Sequence, residues 1–278
     1  MRVLVTGGSG FFSRGFVREA LNRGAERICI YSRGEYQQAL MRQEFDDDRL
    51  RWFIGDIRDR ERLEEALESI DLIVHAAALK RIETGYYNPS EMYKTNIDGT
   101  RNVISAARAA NVEKVVFLSS DKAFEPCSAY GISKAAAECA ILSANHTRGA
   151  NGPRFAAVRY GNVWNSTGSI VPTWRTLIER GAKTVPVTDP NCTRFFMRRE
   201  EAVRLVWDTA ETMQGGELAI PSLPAFDVGS LAEAMEVGIS VTGLPDHEKR
   251  HESMSAGVSS DKARRMSVAE LREELSYV

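Results

Sequence analysis

Short apolar runs alternate with longer segments of helical period over the first 160 residues of the chain. The runs "RVLVT" (2–6), "RICIY" (27–31), "LRWFIG" (50–55), "DLIVHAA" (71–77), "KVVFLSS" (114–120) and "RFAAVRY" (154–160) carry few polar side chains. A strand of this kind is buried on both faces, as in a parallel sheet, whereas a strand with one wet face alternates. Between the runs, "SRGFVREALNRG" and "RERLEEALES" read as helices, the second placing Leu63, Ala66, Leu67 and Ile70 on one face. Strand and helix in alternation predict an α/β fold, a doubly wound parallel sheet covered by helices on both sides. After residue 160 the rhythm breaks: Gly and Pro become frequent, strands shorten, and helical pieces lie near 199–213 and 228–237. The tail from 253 onward reads as a loop followed by a terminal helix. The expected organisation is a nucleotide-binding domain over 1–160, to which later segments return, and a small substrate-binding lobe over 161–278.

Composition narrows the class without naming it. The chain has 278 residues, 43% hydrophobic and 27% charged, with a net charge of -2, so nothing in its charge attracts nucleic acid or an anionic membrane. No apolar run reaches the roughly 18 to 20 residues of a membrane span. The opening "MRVLVTGG" is strand-like from the start with no basic leader, which predicts no export and a cytoplasmic location. Cys29, Cys127, Cys139 and Cys192 form no CxxC pair and the four histidines no HxxxH cluster, so no metal site is expected.

"VLVTGGSGFFSRG" directly follows the first strand and opens the first helix. Gly7 and Gly10 fall where a tight turn must form and backbone must approach a pyrophosphate; Ser9, Phe11 and Phe12 complete the turn. That context makes the sheet Rossmann-type and the turn a dinucleotide site. Ser13 takes the place of the usual third glycine and is small enough for close helix–strand packing. The second strand ends in "IYSRGE", offering Ser32 and Arg33 where an NAD site carries an acid. A guanidinium suits a 2′-phosphate, so NADP is the expected cofactor. Asp56 and Ile57 in "GDIRD" are placed for the adenine, and Ala76 and Ala77 in "HAAA" leave room for the cofactor to lie against backbone.

The fifth strand ends in "SSDK", and Tyr130 with Lys134 one helical turn later follows closely behind it. In a nicotinamide site such a pair has a defined use. The ammonium and the oxidised ring both lower the phenol pKa, so a phenolate takes a hydroxyl proton as hydride leaves.

Taken in order, TGGSGFF, GDIRD, HAAA, TNIDGT and YGISK resemble the extended short-chain dehydrogenase/reductases. Within them the chain looks most like the inverting UDP-N-acetylglucosamine 4,6-dehydratases of polysaccharide biosynthesis. "VHAAALKRIETGYYNPSEMYKTNIDGTRNVI", "LSSDKAFEPCSAYGISKA", "VRYGNVWNSTGSIVP", "VTDPNCTRF" and "HEKRHE" carry the resemblance across most of the chain. It implies a homo-oligomer using NADP on a UDP-linked amino sugar. Tyr130 and Lys134 would oxidise C4, Lys122 would take the C5 proton as base, and a protonated Asp121 would assist loss of the C6 hydroxyl. Burial beside Lys134 and the cationic nicotinamide is expected to keep Lys122 neutral. Lys80, Asn96 and the residues already named would hold cofactor. Lys80, Lys122, Asn162, Arg194 and Glu248 would hold substrate.

The chain departs from the family in places. Gly34 and Gln37 stand where an acid and a further lysine are usual, and no Arg precedes the "EK" of "GLPDHEKRHE". Two other readings stay open beside the dehydratase: a nucleotide-sugar 4-epimerase, which also needs Tyr–Lys, and a non-catalytic NADP-binding sensor.

Overall fold

A computed structural model describes residues 1–277. The six apolar runs are strands β1 (Arg2–Thr6), β2 (Arg27–Ser32), β3 (Leu50–Ile54), β4 (Leu72–His75), β5 (Lys114–Leu118) and β6 (Arg154–Val158). The later strands are β7 (Asn162–Val163), β8 (Thr184–Val187), β9 (Thr193–Met197), β10 (Leu218–Ala219), β11 (Ala225–Asp227), β12 (Gly238–Val241), β13 (Ser253–Ser255) and β14 (Val258–Ser259). β10 joins the first six in one seven-stranded sheet of order β10-β6-β5-β4-β1-β2-β3, parallel throughout. The order reverses between β1 and β4, which is where an open α/β sheet leaves a crevice at the carboxyl ends of its strands.

Three apolar runs overshoot their strands. Residues 76–77, 119–120 and 159–160 leave the ladder. Ala76, Ala77, Ser119, Ser120 and Tyr160 line the crevice instead. Hydrophobicity alone could not separate ladder from lining, because both are dry.

The first half supplies helices α1 (Phe11–Asn22), α2 (Glu35–Glu44), α3 (Arg60–Ala66), α4 (Ile82–Tyr87), α5 (Pro89–Tyr93), α6 (Gly99–Ala109) and α7 (Ala129–Ser143). The second half supplies α8 (Ile170–Glu179), α9 (Arg199–Thr212), α10 (Val228–Ala234) and α11 (Val268–Ser276). Strand alternation splits the core into two layers. Val3, Val5, Ile28 and Ile30 meet Phe16 of α1 and Val206 and Trp207 of α9 on one face. Leu4, Ile73, Val115 and Phe155 meet Leu63, Val103 and Ile141 on the other. Phe16 and Trp207 stack with centroids 4.9 Å apart, so α9 completes the layer begun by α1 although it lies beyond residue 160.

The remaining C-terminal segments build their own core around Trp164, Trp174, Val185, Phe196, Phe226 and Leu231. The tail read as loop contains a hairpin: β13 pairs antiparallel with β14, turning at Gly257, whose φ of +79 suits glycine. Alternation over so short a strand gives too little pattern to find it.

Candidate active site

The dinucleotide crevice is a cavity of about 650 Å³ at the switch point. Gly7 has φ +65, and a Cβ there would stand 3.0 Å from the backbone of Ala77, so the turn needs glycine twice over. Ser13 Oγ donates to Gly7 O at 3.0 Å, fastening the first turn of α1 to the loop. Gly10 caps α1 without a side-chain bond, leaving the helix's first N–H groups free for a phosphate. Gly7, Ser9, Gly10, Phe11, Phe12, Ser32, Arg33, Asp56, Ile57, Ala76, Ala77 and Lys80 all line this cavity, with Tyr130 and Lys134 at its inner end. The glycine cradle, the uncapped helix and the small wall residues fit a nicotinamide dinucleotide.

Asn96 lies outside that lining. Its amide is spent on Leu79, accepting from the N–H at 2.8 Å and donating to the carbonyl at 2.8 Å, and on Ser133 at 2.9 Å. A π-helical turn at Lys94–Asp98 carries it, and the residue clamps the loop holding Lys80 instead of facing the crevice. Asp56 is also more engaged than expected: Arg58 donates to it at 2.9 and 2.7 Å, and Arg33 stands 3.7 Å away.

A second cavity, of about 370 Å³, opens between the sheet and the C-terminal lobe. Arg194, Glu248, Cys127, Trp174 and Thr188 line it. Lys122 and Asn162 line both cavities and stand at the seam between them. Arg194 and Glu248 form an ion pair, and Arg194 also donates to the carbonyls of Thr193 and Arg250 at 2.9 and 3.0 Å.

The seam is made by a tight local fold. Ser120 caps a single 3-10 turn, Asp121–Ala123, accepting from the Lys122 N–H at 3.3 Å. Ser128 caps α7 by accepting from the Gly131 N–H at 3.1 Å. A Cβ at Gly131 would fall 2.5 Å from Lys122 O, so only glycine lets the turn lie against the first turn of α7. Lys122 and Tyr130 are brought together by that contact.

Asp121 is 1% exposed at its side chain; its Oδ1 accepts from Ser120 Oγ at 2.8 Å and lies 3.2 Å from Lys122 Nζ. Glu252 reaches in from the lobe, 4% exposed, with Oε1 3.1 Å from the same Nζ. Burial pushes the Asp121 carboxyl up; Lys122 pulls against this and the charge of Glu252 adds to it. Burial also opposes ionisation of Glu252, but Lys122 and Arg194 hold it below the usual carboxylate range. Of the two acids, Asp121 is therefore the one pushed toward its protonated form.

Lys122 departs from expectation. Burial does pull its ammonium down, but Asp121 and Glu252 outweigh burial and raise it, so the resting group is charged. Lys134 is not what sets it, because its Nζ donates to Leu118 O and sits 4.0 Å over the Phe117 ring. Burial lowers Lys134 itself to about 7, partly offset by Glu138. Tyr130 is raised by burial, against which Lys122 and a hydrogen bond with Ser120 act. The cation beside the phenol is thus Lys122 in the protein alone.

Two groups were not visible as site residues. Glu252 hides in "HEKRHE", but it is two positions from Met254, which is fully buried. That phase marks the same dry face and hence a carboxylate in need of a partner. Glu138 and Arg159 form a second buried pair: Glu138 Oε2 accepts from Arg159 Nε at 3.0 Å and from Ser119 Oγ at 2.5 Å. Arg159 also donates to Met254 O, bracing β13 against the core.

Over residues 3–271 the chain matches the family described as Polysaccharide biosynthesis protein. It belongs to that family. It is 41% identical over 262 residues to the UDP-N-acetylglucosamine 4,6-dehydratase (inverting) of Campylobacter jejuni subsp. jejuni serotype O:23/36 (strain 81-176), covering 93% of this chain and 78% of that protein. A UDP-glucose 4-epimerase of Rickettsia canadensis is 34% identical over 271 residues, 94% of this chain and 79% of that one. Among solved structures, Pen from Bacillus thuringiensis superposes with a TM-score of 0.94 at 33% identity, covering 100% of this chain and 98% of that one. DesIV, a dTDP-glucose 4,6-dehydratase from Streptomyces venezuelae solved with NAD bound, shares the fold with a TM-score of 0.83 at 22% identity, covering 100% and 98%.

Proposed function

We propose that the protein is a nucleotide-sugar 4,6-dehydratase that uses NADP and acts on UDP-N-acetylglucosamine with inversion at C5. The observation that carries this reading is Lys122, paired with the buried Asp121, at the seam of the two cavities. An epimerase has no use for that pair. The identity to the Campylobacter dehydratase supports the choice of substrate.

Held against the turn at Gly7 and Gly10 and the wall at Ala76 and Ala77, a nicotinamide dinucleotide would supply reversible hydride chemistry between C4 and C6 and would not be consumed. The chain's own residues move the protons. Tyr130 takes the O4 proton, leaving a 4-ketone that acidifies C5. Lys122, charged at rest, first passes its proton to Asp121 across the 3.2 Å contact; the neutral amine then takes the C5 proton, and Asp121 gives its proton to the departing C6 hydroxyl, which leaves as water. Tyr130 then protonates C5 from the opposite face, which inverts that centre. Lys122 ends as the ammonium and Asp121 as the carboxylate, so every group regains its starting state. Asn162 and Arg194, in the substrate cavity, orient the sugar and the diphosphate.

Arg33 at the end of β2, in the cavity wall, supports NADP. Four free cysteines suit the reducing cytoplasm, where we place the enzyme as a homo-oligomer. Among the described residues, no helix is long and apolar enough to cross a membrane.

Incubation with UDP-N-acetylglucosamine in deuterated water tests the reading. The expected product has lost the elements of water and carries deuterium at C5, and Lys122→Ala binds dinucleotide but forms none. An isotope-free UDP-N-acetylgalactosamine would establish 4-epimerisation in its place. No turnover of any UDP- or dTDP-hexose, with dinucleotide still bound, would leave a binding protein.

A further inference from the structure

We infer that Glu252, contributed by the C-terminal lobe, is the positioning residue for Lys122, aiming its amine at the seam and governing when it can act as a base. The inference rests on Lys122 being the C5 base, as proposed above.

The geometry is specific. Lys122 Nζ is shared by two carboxylate oxygens, 3.2 Å from Asp121 and 3.1 Å from Glu252, which come from distant parts of the sequence. Asp121 is the neighbour of Lys122 and moves with it. Glu252 comes from the lobe, so it ties the direction of the amine to a separate part of the fold. Its backbone is fastened on both sides: the N–H donates to Ser260 Oγ at 2.9 Å, and the carbonyl accepts from the Ser260 N–H at 2.7 Å. Ser260 is in turn 2.6 Å from Thr193 on β9, next to Arg194. The carboxylate is therefore held by the same strand that carries a substrate-cavity arginine.

The charge pattern gives the arrangement a consequence. The groups facing Lys122 are Asp121 from its own turn, Tyr130 from α7, Arg194 from β9 and Glu252 from the lobe, with Lys249 3.9 Å from the other oxygen of Glu252. Two carboxylates share one ammonium, and Asp121 Oδ2 and Glu252 Oε2 are both buried without a hydrogen-bond partner. Burial pushes the Asp121 carboxyl up while Lys122 and Arg194 hold Glu252 down, so Glu252 is the more readily ionised partner of Lys122. Such coupled groups titrate as a set, and removing one negative charge lowers the pKa of every other member. A bell-shaped rate profile that reports this set must then move as a whole toward acid. Loss of a merely structural contact would lower the bell without moving it.

The test is the pH profile of C5 deuterium incorporation from deuterated water into UDP-N-acetylglucosamine, for native enzyme, Glu252→Gln, Glu252→Asp and Lys122→Ala. Glu252→Gln is expected to displace both limbs to lower pH by about one unit, with reduced maximal rate. Glu252→Asp, whose charge stands further from Nζ, is expected to move them the same way by less. Limbs coincident with the native enzyme overturn the inference while Lys122→Ala stays inert. Should Glu252→Gln fail to fold, as read by thermal melting, an unmoved profile in Glu252→Asp overturns it equally. Deuterium at C5 in Lys122→Ala would instead sink the base assignment on which the inference rests.

Discussion

Arg194 reaches its ion pair with Glu248 from the inner wall of the substrate cavity, so a residue suited to a diphosphate already holds a carboxylate. The two were expected to serve substrate alike; the structure gives them opposite effects on an anion. A diphosphate must displace Glu248 from the guanidinium or share it. Glu248→Gln is therefore expected to tighten UDP binding by about fivefold, since it removes a like charge at roughly 1 kcal/mol. Arg194→Ala removes the charge-assisted donor and is expected to weaken UDP by about tenfold or more. Calorimetric titration with UDP checks both, and weaker binding in Glu248→Gln would show that the carboxylate contributes to the grip.

Arg33 directly follows β2, in the crevice wall, with its side chain 52% exposed and 3.7 Å from Asp56. If it reads a 2′-phosphate, Arg33→Ala should weaken NADP by about 10- to 100-fold and leave NAD within a factor of about three. Fluorescence titration of the two reduced dinucleotides decides this. Equal losses for both would place Arg33 on the adenine and remove the argument for NADP.

Ser13 occupies a glycine position yet is nearly fully buried, and its hydroxyl is bonded to Gly7 O. The substitution has been absorbed by giving the side chain a local task. Ser13→Gly should destabilise the fold by about 1 kcal/mol, through helix propensity and the lost bond, and barely change dinucleotide affinity. Ser13→Leu has no space in the same packing and should abolish binding. Thermal melts with and without NADP separate the two outcomes.

The sheet was legible in the chain because parallel strands buried on both faces leave unbroken apolar runs, from Val3–Val5 through Phe155–Val158. The glycine turn and the Tyr130–Lys134 spacing were legible because each is local, set within one turn and one helix. What the sequence could not show were pairings made in space. Glu252 meets Lys122 only after the lobe folds back, and Arg159 meets Glu138 from a different element. Nor could it show direction. Lys134 shares a helical face with Tyr130, yet its amine turns to Leu118 O, because a buried ammonium takes the nearest free carbonyl. Asn96 shows the same limit: its amide is bonded to the Leu79 backbone in the loop that leads to Lys80, a pairing no local pattern announces.

His75, at the end of β4, is completely buried between two hydroxyls, with Nδ1 2.7 Å from Thr6 and Nε2 3.0 Å from Thr100. Burial, with a smaller contribution from Lys134, lowers its pKa from 6.5 to about 3. The unfolded chain therefore binds a proton below about pH 6.5 that the folded chain refuses until about pH 3. Stability attributable to this group is intact above pH 6.5 and declines as the pH falls through that window, by about 1.4 kcal/mol per unit. His75→Gln, which keeps hydrogen-bonding capacity but does not titrate, should be less stable at pH 8 by about 1 to 3 kcal/mol through poorer fit, yet lose less on acidification. Urea melts of both proteins at pH 8, 6 and 5 test this. Parallel declines for native and variant would show that His75 is not the group that titrates.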